Sequence, residues 1–515
     1  MKNIRFQLVG LLVALLPLCA GAASAQIPKD LPTLASVERE IKGGESQSFR
    51  IALTTNEFVY ALVEQDDLDV VTSIYTPDGR QLTENDSPND RWGSEPILFV
   101  APVSGEYRVE VKSFEGQDLR RYRIKMIALR DATSIDKAHA AAQLAFNEGT
   151  ALSAKQNKDA FRAAIRKYEE AVPLFKTAND TYRQALTFLS IGTAYYKLNE
   201  YRKALEYFNQ TLALAVTLQD QKLEAGTQTF VGGMLDILGD VSRALDHQQR
   251  ALVLARQFGW RAAEGNALSN IGKIYSDVAD WQKALEYFAQ ALPVFKSLGL
   301  KPNEAITLNN IGIVYFQTGE QQKALDYLQQ SLPLLREAGN KNSEAYTFLH
   351  IGRVYRRFGD NQKALEYCTQ AQTIQRQTGN RAQEAETLDD IGLAYAAEGQ
   401  FEKALAYHRQ AAEIQHSVGN VRREAVALNN AGEAYLHLGQ PSKAWECFNQ
   451  ALTMLRSVSD LSNVALALRG LARVEQQQNN LKDAHKFITE SLTAIETVRS
   501  RASSLQMRAS YRALA

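Results

Sequence analysis

Apolar residues recur at helical spacing through most of the chain, and the pattern repeats. Leu308, Ile311, Gly312 and Tyr315 follow one another at i, i+3, i+4 and i+7, which places them on one face of a helix. Gly319 interrupts this face, and a second helical pattern begins in QQKALDYLQQSLPLL. Each unit is therefore predicted to consist of two antiparallel helices joined by a tight turn.

The units follow one another at a period of forty residues. Seven glycines hold the same place in successive units: Gly192, Gly232, Gly272, Gly312, Gly352, Gly392 and Gly432. Three residues after each glycine stands a tyrosine, except at Leu235, and twelve residues after it stands an alanine. Such a period is typical of a solenoid. The small residues are expected where the two helices approach closely, with the tyrosine filling the space beside them, and Gly339 and Asn340 are both expected to end the second helix in the left-handed conformation.

The spacing Leu308-x2-Ile311-Gly312-x2-Tyr315, followed by Ala324-x3-Leu328, resembles the tetratricopeptide repeat. Because that repeat usually has 34 residues, the extra residues predict longer helices, as in the forty-residue units of kinesin light chain, which this chain resembles. HEAT and armadillo units share the period but lack the Gly/Tyr/Ala constellation. The resemblance implies a mainly α protein, a right-handed α-solenoid of about nine helix-turn-helix units over residues 137–500.

The two end units depart from the pattern. The first, around Asn147, is expected to have about three extra residues at its inter-helix turn. The last keeps Leu468, Leu471 and Ala484 in phase but has lost the glycine and the tyrosine. Atypical end units are typical of caps on a solenoid.

Residues 36–131 have the short alternating runs of a small β-sandwich. The runs are SQSFRIAL, EFVYALVEQ, DVVTSIYTP, PILFVAP, EYRVEVKS and YRIKMIAL, separated by turn residues. YTPDGRQL and APVSGEYRVEV resemble the pre-peptidase C-terminal domains of secreted bacterial proteins. Asp66, Asp67, Asp69, Asp86 and Asp90 could gather around calcium, but such acids usually form turns, so neither a metal nor another cofactor is predicted.

The first 25 residues resemble a secretory signal peptide. Lys2 and Arg5 precede the apolar run LVGLLVALLPL, and Ala23 and Ala25 form an A-x-A cleavage pattern. The apolar run is short for a membrane span. We therefore expect a protein exported to the periplasm or secreted, with membrane attachment only through an uncleaved signal peptide.

Composition and motifs argue against two classes of function. Lys plus Arg and Asp plus Glu number 58 each, so the chain offers no strong positive field for nucleic acid. The seven histidines stand singly, and the sequence contains no HExxH, CxxC or Gly-x-Ser-x-Gly motif. No catalysis is predicted. Cys368 and Cys447 are expected to be small core residues that do not form a disulfide.

Recognition is the remaining function, and the first helices of the units are expected to line the concave side. The stripe next to their packed face predicts a peptide-binding groove formed by Asn270, Asn310, His350, Asp390, Asn430, Lys273, Ile313, Tyr346, Arg353 and Arg357. A row of asparagine amides can donate and accept hydrogen bonds along the main chain of an extended peptide. Two alternatives would also account for these asparagines: they are polar residues that merely face solvent on the concave side, or they form hydrogen bonds to the neighbouring repeat. The patch of His350, Arg353, Arg356 and Arg357 favours an acidic feature in the partner.

The C-terminal segment raises an alternative function. AIETVRSRASSLQMRASYRALA, which includes the tail 501–515, resembles the segment that joins such repeats to a caspase-like peptidase of the CHAT type. Three hypotheses follow: an exported, non-catalytic scaffold that binds a protein or extended peptide, the sensor half of a split or truncated CHAT-type system with a separate caspase-like partner, and an envelope or glycan binder acting through the β-sandwich. Trp92 is the only tryptophan of that sandwich, which ranks the glycan hypothesis third.

Overall fold

A computed structural model describes residues 29–30, 36–66, 69–85, 92–113 and 119–512. The predicted signal peptide, residues 1–25, lies outside the described residues, and so do Asp67, Asp86 and Asp90. The chain divides into two compact units, residues 1–200 and residues 201–515, which are described separately below.

The first unit begins with a β-sandwich. Its strands are β1 (Lys29–Asp30), β2 (Ser36–Lys42), β3 (Ser46–Leu53), β4 (Glu57–Asp66), β5 (Val70–Tyr75), β6 (Gln81–Asn85), β7 (Trp92–Val100), β8 (Gly105–Ser113) and β9 (Leu119–Asp131). One sheet has the order β1-β3-β8-β5-β6 and the other the order β2-β9-β4-β7. The pairings are antiparallel except that of β1 with β3.

The inner faces of both sheets share one apolar core. Phe49, Val59, Ile97 and Tyr107 are among its buried side chains. Each of the six runs read from the sequence lies on a strand, whereas β1, β2 and β6 were missed. All three are edge strands. In β2 only Ile41 is fully buried, so most of its positions tolerate charge and hide the alternation.

Eighteen helices follow in the described residues, as expected for nine pairs. They are α1 (Ser134–Ser153), α2 (Lys158–Thr177), α3 (Thr181–Lys197), α4 (Tyr201–Leu218), α5 (Gln221–Ile237), α6 (Val241–Gln257), α7 (Arg261–Asp277), α8 (Trp281–Ser297), α9 (Lys301–Gln317), α10 (Gln321–Glu337), α11 (Lys341–Phe358), α12 (Asn361–Gln377), α13 (Arg381–Ala397), α14 (Phe401–Ser417), α15 (Val421–His437), α16 (Pro441–Ser457), α17 (Leu461–Gln477) and α18 (Leu481–Arg512). We call the odd-numbered helices A helices and the even-numbered ones B helices.

The close approach inside a unit is where the glycine period placed it. A Cβ atom added to Gly312 in α9 would lie 2.8 Å from Cγ of Leu328 and 3.1 Å from the carbonyl oxygen of Ala324, both in α10. Tyr315 stacks on Tyr327 of α10 at a centroid distance of 5.5 Å, and Nζ of Lys323 lies 5.1 Å from the centre of the Tyr315 ring. The small residue and the stacked pair together fix the angle between the helices of a pair.

The turns confirm one expectation and correct another. Gly319 and Gly339 have φ values of +86° and +65°, the left-handed region in which a side chain is disfavoured. Asn340, however, has φ −79° and caps the following helix, because its side chain accepts a hydrogen bond from the backbone N–H of Ser343. The Gly-Asn pair thus ends one helix with its first residue and begins the next with its second.

The first pair is also built differently from the expectation. Gly149 packs against Tyr168, as the repeat requires, but the extra residues lie mainly within α2. The turn between α1 and α2 has four residues, against three between α9 and α10. Both α1 and α2 have 20 residues, against 17 in most later helices. Leu468 and Leu471 of the last pair are buried, as predicted.

The two cysteines of the solenoid differ in burial. Cys368 is buried and Cys447 is half-buried, and both are free, so the second is less of a core residue than expected. Burial raises the pKa of the Cys368 thiol far above its ordinary value. None of the helices in the described part of the chain is long and apolar enough to cross a membrane.

Candidate functional site

In residues 201–512 the A helices of neighbouring pairs lie against each other, while B helices of neighbouring pairs make much sparser contact. The side formed by the A helices is therefore the narrower one, and we call it the inner face. Burial and then the charge of Glu386 raise the pKa of Tyr346 in α11, while Arg353 and Arg423 lower it; Asp277 of α7, two pairs away, adds a smaller increase.

The predicted groove residues lie on this side but differ in availability. Lys273 and Arg357 are exposed, His350 and Asp390 are buried, and the other six are half-buried: Asn270, Asn310, Ile313, Tyr346, Arg353 and Asn430. Contacts between neighbouring A helices involve several of these positions. The stripe thus serves both the repeat-to-repeat contact and the inner surface.

The asparagine row is not uniform. Nδ2 of Asn270 lies 3.4 Å from Oε1 of Gln248 in the preceding pair, and Nδ2 of Asn430 donates a 2.9 Å hydrogen bond to Asp389. Both amides therefore bond the neighbouring repeat, which was one of the alternatives. Asn310 makes no side-chain hydrogen bond within the described residues. Its equivalent partner position, 22 residues earlier, holds Phe288, which cannot form one.

Arg353 joins two successive A helices through a partly buried ion network. Its guanidinium donates to Asp390 at 2.8 Å and to Glu386 at 2.6 Å, and only 18% of its side chain is exposed. Arg356 lies 3.5 Å from the second oxygen of Asp390, and Arg423 lies 3.2 Å from Glu386. Burial raises the pKa of Glu386, but the charges of Arg353 and Arg423 outweigh burial and hold that pKa below its ordinary value.

His350 is a buried neutral ring beside this network. Both of its ring nitrogens are buried without a hydrogen-bond partner, and the ring meets Tyr346 edge to face at a centroid distance of 4.5 Å. Burial, followed by the positive charges of Arg353 and Arg423, lowers its pKa well below the ordinary value. The position 22 residues before it holds Leu328, so the repeat offers this imidazole no polar partner either.

The basic patch expected to attract an acidic partner is mostly neutralised from within. Arg353 and Arg356 share Asp390, and His350 is uncharged, as described above. Arg357 alone keeps an exposed guanidinium, which lies over the ring of Phe316 at 5.1 Å. The expectation of an acidic feature in the ligand is therefore not supported by this arrangement.

Charged networks also occupy the other end of the stripe. Nζ of Lys273 lies 2.6 Å from Asp236 of the preceding A helix and 2.7 Å from Asp277 of its own helix. Asp389, which sequence reasoning did not single out, receives both His408 and Asn430. The partners of the stripe residues could have been sought in the sequence as charged residues 33 to 41 positions away, because that separation reaches the neighbouring A helix.

Between these networks the inner face is uncharged. Ile306, Asn310 and Ile313 lie one turn apart on α9, and Tyr346 lies on the next A helix. Ile306 is 42% exposed, and the other three are half-buried. We call these four residues the central patch. It combines apolar surface with a free amide and contains no carboxylate or ammonium group of its own.

Within the described residues, no group of three or more His, Cys, Asp or Glu side chains is placed to hold a metal ion. A comparison with curated protein sequences finds no match to this chain.

The family models do match. The tetratricopeptide repeat model fits residues 223–297, 263–337, 343–416 and 423–497, and a second model of the same repeat fits residues 187–222. The chain belongs to the tetratricopeptide repeat family. The resemblance that the Gly/Tyr/Ala constellation implied is thereby confirmed for most of residues 187–497, whereas none of these matches bears on the CHAT-type layout.

The chain is also similar to several solved structures. The tetratricopeptide sensor protein of the STAND class from Pyrococcus horikoshii aligns with a TM-score of 0.51 at 13% identity, covering 74% of this chain and 58% of that one. A Rap protein complexed with competence and sporulation factor aligns with a TM-score of 0.49 at 16% identity over 68% and 99% of the two chains. A putative kinesin light chain from Podosopora anserina aligns with a TM-score of 0.32 at 20% identity over 37% and 94%. Only the first has a TM-score above 0.5, and at 13% identity it supports the fold alone.

Proposed function

We propose that this tetratricopeptide repeat protein is a non-catalytic scaffold that binds a protein through an extended peptide segment lying on the inner face of its helices. The central patch carries the proposal. It is the part of the predicted stripe where apolar side chains are accessible and where an amide, that of Asn310, keeps its hydrogen-bonding capacity.

The chemistry of the patch fits an uncharged segment with an apolar side chain. A carboxamide donates and accepts at once, so Asn310 can pair with the main chain of any extended peptide. Ile306, Ile313 and Tyr346 offer apolar contact for one side chain of that peptide. The ion networks on both sides are already satisfied within the protein, so they supply little attraction for a charged ligand.

The test is selection of peptides from a random displayed library on the full chain, followed by direct titration. Asn310→Ala should weaken binding of a selected peptide by about two- to tenfold, the effect of losing one hydrogen bond worth roughly 0.5–1.5 kcal/mol. N-methylation of the contacting peptide group should have a similar effect. In the Asn310→Ala variant, N-methylation should weaken binding no further, since the bond that it removes is already lost.

The matched control is Asn449→Ala on the exposed side of α16, which makes the same chemical change away from the inner face. Binding should be unchanged in this variant. If no peptide is enriched, or if the selected peptides bind the Asn310→Ala variant as tightly as the unaltered chain, the proposal is wrong.

Export to the periplasm or outside the cell belongs to the same proposal and rests on the first 25 residues alone. Cleavage after Ala25 would be read from the N-terminal sequence of the protein purified from its host. The sensor half of a caspase-like system and the glycan binder stay predictions from the sequence, and no contact in the described residues favours them.

A further inference from the structure

The last described helix, α18, has a row of large, exposed apolar side chains on one face. Leu481, Ile488, Leu492 and Ile495 of α18 are 62%, 37%, 57% and 50% exposed. Their spacing of seven, four and three residues places them on one face of the helix. We call this row the terminal stripe.

Three residues of the terminal stripe occupy positions that are buried or half-buried in the earlier repeats. Forty residues earlier, on α16, the equivalents of Ile488, Leu492 and Ile495 are Phe448, Leu452 and Leu455, which are 0%, 4% and 0% exposed. On α10 the equivalents are Leu328, Leu332 and Leu335, at 0%, 9% and 0%. The stripe is thus the continuation of an interface that the described repeats make again and again.

The neighbouring junction shows what covers such a face. Helix α17 lies on α16, and its Gly470 approaches the ring of Phe448 so closely that an added Cβ would lie 2.5 Å from a ring carbon. Val464 and Leu471 of α17 belong to the same buried cluster as Phe448. The covering element is therefore an amphipathic helix with a small residue at the closest approach and branched apolar residues beside it.

The opposite end of the array shows that an end helix need not stay bare. Within residues 1–200, α1 is covered by the β-sandwich: Asn147 donates a 2.8 Å hydrogen bond to Thr83 of β6, and the ring of His139 meets that of Tyr60 in β4 edge to face at 5.3 Å. The first helix of the described array thus has a partner where the terminal stripe has none among the described residues.

We propose that the terminal stripe of α18 is a docking site for an amphipathic helix of another protein, a helix of the A type with glycine or alanine opposite Ile488 and branched apolar residues beside it. Such a helix would continue the solenoid by one layer. The site lies on a different surface from the central patch, so it can be present or absent independently of the peptide-binding proposal.

The experiment uses the full chain and a fluorescent peptide with the sequence of residues 460–478, which is the chain's own A helix from the adjacent junction with its capping Asp460. Saturable binding is expected by fluorescence anisotropy. Leu492→Lys should weaken it about tenfold or more, because the ammonium group would have to be buried against an apolar helix. Since Leu492 is mostly exposed, the thermal melt of this variant should match that of the unaltered chain.

Thr493→Lys is the matched control, since Thr493 is exposed and lies one residue away, about 100° around the helix. It should leave binding unchanged. A second peptide with glutamate in place of Gly470 should not bind, because that side chain would stand at the closest approach.

Three outcomes would overturn the proposal. One is the absence of binding to the unaltered chain, and another is equal binding to the Leu492→Lys variant. The third is a dimer in sedimentation analysis that Leu492→Lys converts to a monomer, which would assign the stripe to a second copy of this chain.

Discussion

The glycine at the crossing of each helix pair makes the most direct test of the repeat packing, and Gly312→Val is the change we would make first. An added Cβ at this position lies 2.8 Å from Cγ of Leu328, where carbon atoms normally stay about 3.5–4.0 Å apart. The backbone oxygen of Ala324, at 3.1 Å, limits movement on the other side. Valine adds two further methyl groups to this contact, so α9 and α10 must separate or Leu328 must leave its rotamer.

The size of the effect follows from two opposing contributions. Overpacking a well-filled site costs about 1–3 kcal/mol. Valine is a better helix former than glycine by roughly 0.3–0.5 kcal/mol, which offsets a small part of that cost. A net loss of about 2 kcal/mol in the free energy of unfolding is therefore expected for the part of the array around α9 and α10.

Gly226→Val provides the matched control. Gly226 is also a helical glycine of an A helix, but it is exposed, and a Cβ there would meet nothing within 4 Å. Its replacement should leave stability within about 0.5 kcal/mol or raise it slightly. The comparison separates steric overlap from helix propensity.

The assay must resolve local stability, because repeat arrays unfold as neighbouring units and not as one block. Native-state hydrogen exchange, read by mass spectrometry for each helix, gives the opening free energy of α9 and α10. Gly312→Val should lower protection in these helices and their neighbours and leave distant pairs unchanged. Equal protection in Gly312→Val and Gly226→Val would show that Gly312 does not sit at a close helix contact, and the reasoning would fail.

Three further predictions concern buried polar groups. Arg353→Met leaves Asp390 buried without its main cation and should lower the free energy of unfolding, measured with denaturant, by about 3–5 kcal/mol; a loss below about 1 kcal/mol would contradict the network. The lowered pKa of Glu386 stabilises the protein above that residue's unfolded pKa, and this stability is lost as pH falls through the folded pKa. The variant should therefore lose less stability on acidification than the unaltered chain. The pKa of His350 is lowered in the folded state, so the unfolded chain takes up a proton first and the free energy of unfolding should fall as pH drops below about 6.5. His350→Gln should reduce this dependence of stability on pH. An unchanged dependence would show that the ring titrates freely in the folded protein. The Cys368 thiol should react with iodoacetamide only after unfolding, since burial raises its pKa, and rapid labelling of the native protein would place it at the surface.

The repeat pattern could be predicted from the sequence because it is local and periodic. A glycine, a tyrosine and an alanine at fixed spacing are sufficient to give two helices and their crossing, and Gly312, Tyr315 and Ala324 do in the structure what their spacing implies. Asn340 shows the limit of this reasoning. Gly and Asn both tolerate the left-handed region, so the sequence alone does not show which of two adjacent residues takes it and which caps the next helix.

The candidate site was harder to predict because availability depends on partners far away in the sequence. Asn270, Asn310 and Asn430 look equivalent in the repeat, yet Asn270 and Asn430 are engaged by other pairs and Asn310 is not. Arg353 looks like a ligand-binding cation but meets two carboxylates of the next A helix. Whether each side chain is free or paired depends on which residue of a neighbouring repeat lies opposite it. Helical periodicity predicts the face on which a residue lies but not its partner in another repeat.

In three successive pairs, a position in the B helix nevertheless affects the inner face of the following pair. The residue four positions after the alanine of a B helix packs under the glycine of its own pair. The residue 22 positions later, which we call the slot residue, lies on the inner face of the next pair; the slot residues after Gln248, Phe288 and Leu328 are Asn270, Asn310 and His350. Where that residue is Gln248 it engages the following slot, and where it is Phe288 or Leu328 it fills the core and leaves the slot residue unpaired. A single position thus trades packing inside one unit against polar capacity on the inner face of the next. Within the described part of the chain, Asn310 and His350 thus keep hydrogen-bonding groups unpaired in the two pairs that follow Phe288 and Leu328, and Asn310 lies in the central patch.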